Sequence, residues 1–355
     1  MHTVLITGAA GYVGAMLVRA FAAREDVATV VGLDKEPLPK ILSNEPKLVY
    51  LQMNTVDEWE EEVKKHSPDI VIHAAWHIRE IYGNRKRTYA WNIEGSEKVF
   101  AFAFREPSVK RLVHFSTIAS YGAFADNSLQ HRYTEEEPFR ESAYLYAEEK
   151  RIAEERLETL YKENARKDMS VSVVRPAAIT GPCGRFLRIR LGLQSTLAGQ
   201  MKGSWIYSII SAMVLLVPVT PKWLRQFVHE DDVVAIVERL SFGETAGSYE
   251  VFNLCPPGDP IRGKDMAKVV GKWMLPVHPR MVQLGYFAAW HLTQGKVPTA
   301  PGAWRSYSYP IAVDGSKVTR ALGYEYRYTV FDALYYTDGT YEGQVPVELR
   351  RTKAS

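Results

Sequence analysis

Residues 3–14 read TVLITGAAGYVG, and their reading decides the fold. TVLIT is a short, apolar, β-branched run of the kind found in strands buried on both faces. From Tyr12 to Arg24 the apolar residues recur with helical spacing. Between the two lie Gly8, Gly11 and Gly14, with Tyr12 and Val13 in the step from loop to helix. A strand that turns into a helix through glycines gathers unpaired N–H groups and the positive end of the helix dipole at one point. A pyrophosphate can approach the backbone there. The next strand-like run, VATVVGLD, ends in Asp34, 20 residues beyond Gly14. A carboxylate so placed accepts hydrogen bonds from both ribose hydroxyls of a dinucleotide and repels a 2′-phosphate. Lys35 beside it offsets part of that repulsion, and the balance favours NAD over NADP.

Further buried strands follow: KLVYLQM (47–53), DIVIHAA (69–75), RLVHFST (111–117) and SVSVVRP (170–176). Helical patterns separate them, in DEWEEEVKKH, YAWNIEGSEKVFAFAFRE and SAYLYAEEKRIAEERLETLYKENARK. Such alternation implies an α/β fold, a Rossmann-type doubly wound parallel sheet. Beyond Pro182 the alternation is lost, except where FVHEDDVVAIVERL and YEVFNLC read as a helix and strand returning to the sheet. The expected organisation is an NAD-binding Rossmann domain of 1–182 plus 227–255, with a smaller, discontinuous C-terminal substrate-binding domain of 183–226 plus 256–345.

The 355 residues carry 44 basic and 41 acidic side chains, interspersed, for a net charge of +3. No basic stripe marks a nucleic-acid partner. The two cysteines, Cys183 and Cys255, lack metal-ligand spacing, so neither a metal site nor a disulfide framework is expected, and a reducing, cytoplasmic setting fits. MHTVLITGAAGYVG has no leader pattern. The uncharged run 203–221, GSWIYSIISAMVLLVPVTP, approaches spanning length, but its serines, glycine and prolines argue for a buried helix lining a pocket. Peripheral membrane contact is the minor alternative.

SAYLYAEEK (142–150) contains two tyrosines, and only Tyr146 has a lysine, Lys150, four residues on. Residues i and i+4 share a helix face, and an ammonium there favours the phenolate, making Tyr146 a usable base. Tyr82 and Lys86 repeat the spacing, so spacing alone does not choose between them.

TGAAGYVG, HAAW, NIEGS, FSTIASYG, YAEEK, RPAAITGP and FVHEDDV occur in the order seen in the extended short-chain dehydrogenase/reductase family, the NAD-dependent epimerase/dehydratase family, which residues 1–255 resemble. The resemblance implies a bound nicotinamide cofactor and a catalytic set of Thr117, Tyr146 and Lys150. Tyr146 would take the proton of a secondary alcohol whose hydride leaves for the nicotinamide. Thr117 would hydrogen-bond the substrate oxygen, and Lys150 would hold the ribose and lower the Tyr146 pKa. Ser116 is the structural neighbour of Thr117. The same resemblance places Ala74, Ala75, Asn92 and Pro176 around the cofactor, with Asn54 where the family often has aspartate at the adenine end. Trp76, Ala178 and Arg225 become substrate-side candidates, and the helices at 84–105 and 143–165 imply a homodimer.

Three departures bear on the substrate. Ile118 and Ala119 stand where dehydratases of the family carry an acidic pair, Ala178 stands where sugar-nucleotide members usually have asparagine, and Arg225 lies in apolar surroundings. With MVQLGYFAAWHL (281–292) also apolar, the expected small-molecule substrate is a bulky, largely apolar alcohol or ketone, as in the hydroxysteroid-dehydrogenase-like branch. The alternatives are a nucleotide-sugar epimerase with tightly bound NAD and a non-catalytic NAD-binding sensor.

Overall fold

The computed structural model describes residues 1–164, 166–187, 216–243, 248–269, 273–335 and 338–344. Thirteen strands form in the order β1 His2–Thr7, β2 Val27–Asp34, β3 Leu48–Gln52, β4 Ile70–His73, β5 Arg111–Phe115, β6 Ser170–Pro176, β7 Ala178–Thr180, β8 Leu216–Val219, β9 Leu224–Arg225, β10 Phe227–His229, β11 Tyr249–Leu254, β12 Ile261–Arg262 and β13 Trp273–Pro276. Seven of them make one sheet in the order β11-β6-β5-β4-β1-β2-β3, and every pair in it is parallel. The chain runs from β1 outward to β2 and β3, then returns to β4 on the other side of β1. That reversal opens a crevice at the carboxyl ends of β1 and β4.

The helices that position the site are α1 Tyr12–Ala22, α2 Glu60–Lys64, α3 Arg85–Tyr89, α4 Gly95–Arg105, α5 Leu145–Asn164, α6 Pro182–Leu187 and α7 Glu230–Phe242. Side chains alternate across each strand, so β1 feeds both layers. Val4 and Ile6 join Met16, Phe21, Val233 and Val237 from α1 and α7. Leu5 joins Phe100, Phe102 and Leu157 from α4 and α5 on the opposite face. Helices on both faces explain why the strands read as continuous apolar runs. Leu157 is therefore spent inside the subunit, and Ile152, only partly buried, is left on the surface that a twofold partner would use.

The later chain adds three two-stranded pieces: β7 beside β10, β9 beside β12, and β8 beside β13. Val219, Trp223, Ile261 and Val313 pack into the same core cluster as α1 and α7, so the substrate-side residues share a core with the sheet. Of the uncharged run at 203–221, residues 203–215 lie outside the described residues, and the remainder forms β8 and the turn after it.

Two long-range polar links fix the layers. The Tyr12 hydroxyl donates to Glu230, 218 residues away, and Glu230 also accepts from the backbone N–H groups of Cys183 and Gly184. Arg175 on β6 donates to Glu154 on α5 at 2.9 and 2.5 Å and to the Tyr121 hydroxyl at 2.6 Å. Both Arg175 and Glu154 are almost fully buried. Removing one partner of such a pair strands a buried charge, at a cost of about 3–5 kcal/mol. Arg175→Met should lower stability by about that amount in urea titration, and adding Glu154→Leu should recover most of the loss.

Candidate active site

The crevice is a cleft of about 680 Å³ that runs from the glycine turn across the ends of β1, β4 and β5 to the start of α5 and the residues near 300–311. At its dinucleotide end Gly8 has φ +74°, and a Cβ there would sit 2.6 Å from the Ala75 nitrogen. A Cβ on Gly14 would sit 2.0 Å from the Gly8 carbonyl oxygen. Only glycine allows β1, the segment after β4 and α1 to meet this closely. Val13 and the backbone of Ala74 and Ala75 line the same end. The Asp34 carboxylate accepts from Ala10 N–H at 3.0 Å and Glu36 N–H at 3.0 Å, which holds it at the lip of the turn. Lys35 is paired with Glu36, so its charge is spent locally rather than on a ligand beside Asp34. Asn54 also lines the cleft, its carboxamide oxygen accepting from the Thr55 hydroxyl at 3.3 Å. A cradle that a Cβ would fill, with a fixed carboxylate 20 residues on, fits a dinucleotide.

At the other end Lys150 is buried in the second turn of α5. Its ammonium donates to the Phe115 carbonyl at the end of β5 and lies 3.7 Å from the centroid of the Trp76 ring. Trp76, expected on the substrate side, thus covers the lysine with its face, while its indole N–H has no hydrogen-bond partner among the described residues. Behind Lys150 the stacked imidazoles of His73 and His114 are 5.3 Å apart. Burial and then the Lys150 charge hold His73 down to about 3, and the same causes hold His114 well below its ordinary value. Both rings stay neutral, so Lys150 is the cation of this region.

Tyr146 lines the cleft one turn before Lys150, with Thr117 across from it. Thr117 caps the short turn Ile118–Tyr121, its hydroxyl oxygen accepting from Ala119 N–H at 3.2 Å. Tyr144 also lines the cleft, 5.7 Å from Tyr146 between ring centroids. Burial, then the neighbouring Tyr146 and Tyr307, push its phenol well above the ordinary tyrosine value. Tyr144 is consequently a hydrogen-bond donor at neutral pH and no base. Tyr82 is exposed, its hydroxyl 3.2 Å from His291, and Lys86 is exposed on α3. The second Tyr–Lys match therefore lies away from the cleft lining.

Pro176, a cofactor-side candidate, and Ala178 and Arg225, substrate-side candidates, all line the cleft. The Arg225 guanidinium sits 5.2 Å from the Tyr307 ring centroid, and the Tyr286 ring packs against Tyr307 at 5.5 Å, tilted by 50°. Sequence patterns did not single out Tyr307, Tyr309, Pro298 or Ala300, which line the same wall. Their segment, 298–311, has neither helical nor strand periodicity to announce an inward face.

Asn92 is buried directly behind His77 and Glu149, which line the cleft. It sits in a wide π turn, Ala90–Glu94, between α3 and α4. Its carboxamide accepts from His77 N–H at 2.7 Å and donates to the His77 carbonyl at 3.0 Å and to Glu149 at 2.6 Å. Asn92 therefore ties the segment after β4 to α5. Glu149, beside Lys150, is buried with one oxygen that has no hydrogen-bond partner among the described residues. Burial outweighs the Asn92 hydrogen bond and raises its pKa from 4.5 to about 7. An acid whose pKa is higher folded than unfolded binds more protons in the native state between those values, so stability falls as pH rises through that window. Glu149→Gln should flatten the decline in urea midpoint between pH 4.5 and about 7 and raise stability above it.

Residues 4–255 match the model of the NAD dependent epimerase/dehydratase family. No curated protein matches the chain significantly. Among solved structures, dTDP-glucose 4,6-dehydratase from Bacillus anthracis, in complex with NAD, aligns with a TM-score of 0.66 at 16% identity, covering 94% of each chain. The Bordetella bronchiseptica enzyme WbmG, in complex with NAD, aligns at 0.66 and 22% identity over 94% of this chain and 91% of the other. UDP-glucose 4-epimerase from Thermotoga maritima, with UDP-glucose, aligns at 0.61 and 20% identity over 94% and 97%. At these identities the structures attest the shared fold, and the family match covers most of the chain: the protein belongs to the NAD-dependent epimerase/dehydratase family.

Proposed function

We propose that the protein is a nucleotide-sugar epimerase that oxidises and re-reduces one secondary alcohol carbon without net change in redox state. The observation that carries this reading is a single cleft with the glycine cradle and Asp34 at one end, Thr117, Tyr146 and Lys150 in the middle, and Arg225 on the far wall. Gly8, Gly11, Gly14 and Asp34 would hold NAD, which supplies the hydride acceptor when bound. The Asp34 carboxylate, with Lys35 neutralised by Glu36, favours NAD over its 2′-phosphorylated form.

Tyr146 takes the hydroxyl proton as the alcohol becomes a ketone and returns it on reduction. Lys150 makes this possible, because a buried ammonium one turn away stabilises the phenolate. Thr117 donates to the substrate oxygen as charge develops. Arg225 supplies a cation suited to a diphosphate. Ile118 and Ala119 follow Thr117 with side chains that cannot move a proton, which disfavours dehydration. One of the structural relatives named above, the Thermotoga maritima epimerase, was solved with a nucleotide sugar, and this supports the epimerase over an apolar-alcohol dehydrogenase. The dehydrogenase reading rests on Ala178 and on the apolar wall of Trp290, Pro298, Ala300 and Ile311.

The two readings separate on cofactor behaviour. With UDP-, GDP- and dTDP-sugars the epimerase should invert a stereocentre with no accumulating NADH absorbance, and bulky secondary alcohols should give none either. Steady NADH release with an apolar alcohol, and no inversion of any sugar nucleotide, would establish the dehydrogenase instead. Tyr146→Phe should lower turnover by about 10²–10⁴-fold, the range for loss of a general base, with NAD affinity nearly intact, whereas Tyr82→Phe should change neither.

A further inference from the structure

Seven of the thirteen large apolar side chains exposed among the described residues fall between Trp273 and Leu292. Trp273, Met274 and Leu275 belong to β13, and Met281, Leu284, Phe287 and Leu292 to the helix Pro279–Leu292. Leu284 is 69% exposed and Leu292 85%. At 100° per residue, Met281, Leu284, Ala288 and Leu292 form one stripe with Phe287 at its margin. The opposite side carries Tyr286 and Trp290, the latter buried and lining the cleft. No charged side chain occurs between Arg280 and Lys296.

A helix apolar all round is ordinarily covered all round, yet this one is covered on a single face. At 14 residues it is about 21 Å long, short of the ~30 Å hydrocarbon core. None of the described helices is long and apolar enough to cross a membrane. Its dimensions suit a helix lying in the plane of an interface.

Charge selects the interface. Arg262, Lys264, Lys268, Arg280 and Lys296 are exposed around the apolar face, and the acids in 256–300 are Asp259 and Asp265 alone. A second copy across a twofold axis would bring these cations against their own kind. Anionic lipid would neutralise them while the apolar stripe enters the headgroup boundary.

We propose that β13 and the helix Pro279–Leu292 rest on an anionic phospholipid surface. One helix then has its outer face on lipid and its inner face, through Trp290, in the wall of the cleft. The test is co-sedimentation of the full chain with phosphatidylcholine vesicles and with mixed phosphatidylcholine–phosphatidylglycerol vesicles. The wild-type protein should pellet with the mixed vesicles, less with the zwitterionic ones, and less as salt rises. Leu284→Glu with Phe287→Glu should cut the bound fraction by about tenfold or more while leaving the unfolding midpoint and NAD affinity unchanged. Absence of pelleting with either vesicle would overturn the proposal. So would a large drop in unfolding midpoint in the double variant without vesicle binding by the wild type, because the face would then be covered by the chain itself. A dimer that the double variant dissociates, again without vesicle binding, would assign the face to a second copy instead.

Discussion

A buried ammonium needs partners, and the way Lys150 obtains them organises the rest of the site. Its charge sits between the Phe115 carbonyl and the face of Trp76, which binds the second turn of α5 to the ends of β5 and β4. Unsatisfied, an ammonium so buried would cost several kcal/mol, so the contact fixes where α5 begins and which of its residues face the cleft. Tyr146, one turn earlier, is thereby presented to the space above the sheet. One turn later, Glu154 meets Arg175 and locks the same helix to β6. His73 and His114 lie behind the lysine and stay neutral.

Much of this was legible in the sequence because it depends on local pattern. VATVVGLD and SVSVVRP became strands with the boundaries their apolar runs suggested, and the glycine turn lies where a strand meets a helix. Tyr146 could be preferred over Tyr144 from the position of one lysine, and burial of Tyr144 among tyrosines gives that preference a physical ground. What could not be read depends on contacts between distant residues. Asn92 reads as a helix residue near a cofactor, and the sequence gives no sign that its carboxamide bonds to His77 and to Glu149, 57 positions away. Likewise the helical pattern 89–106 concealed a π turn, because the extra backbone residue changes spacing by less than apolar periodicity resolves. Tyr307 and its neighbours reach the cleft from a segment without periodicity, so no pattern could have named them.

The substrate wall shows how a family scaffold is respecified. Arg225 keeps a cation in the cleft beside Tyr307, while Ala178 brings no hydrogen-bonding side chain to the same lining. A guanidinium beside an aromatic ring suits an anionic group such as a diphosphate. The helix Pro279–Leu292 contributes Trp290 to this wall and leaves Leu284, Phe287 and Leu292 exposed on its outer side.

The central claim is that a hydride removed from the substrate goes back to the same molecule. It is tested most directly with a nucleotide hexose carrying deuterium at the inverted carbon, the two epimers being recovered and read by mass spectrometry in the presence of excess free NAD. Full retention of deuterium in both epimers, with none in the free nicotinamide pool, is expected. Loss of the label to free NADH, or inversion with exchange of the label for solvent hydrogen, would contradict it.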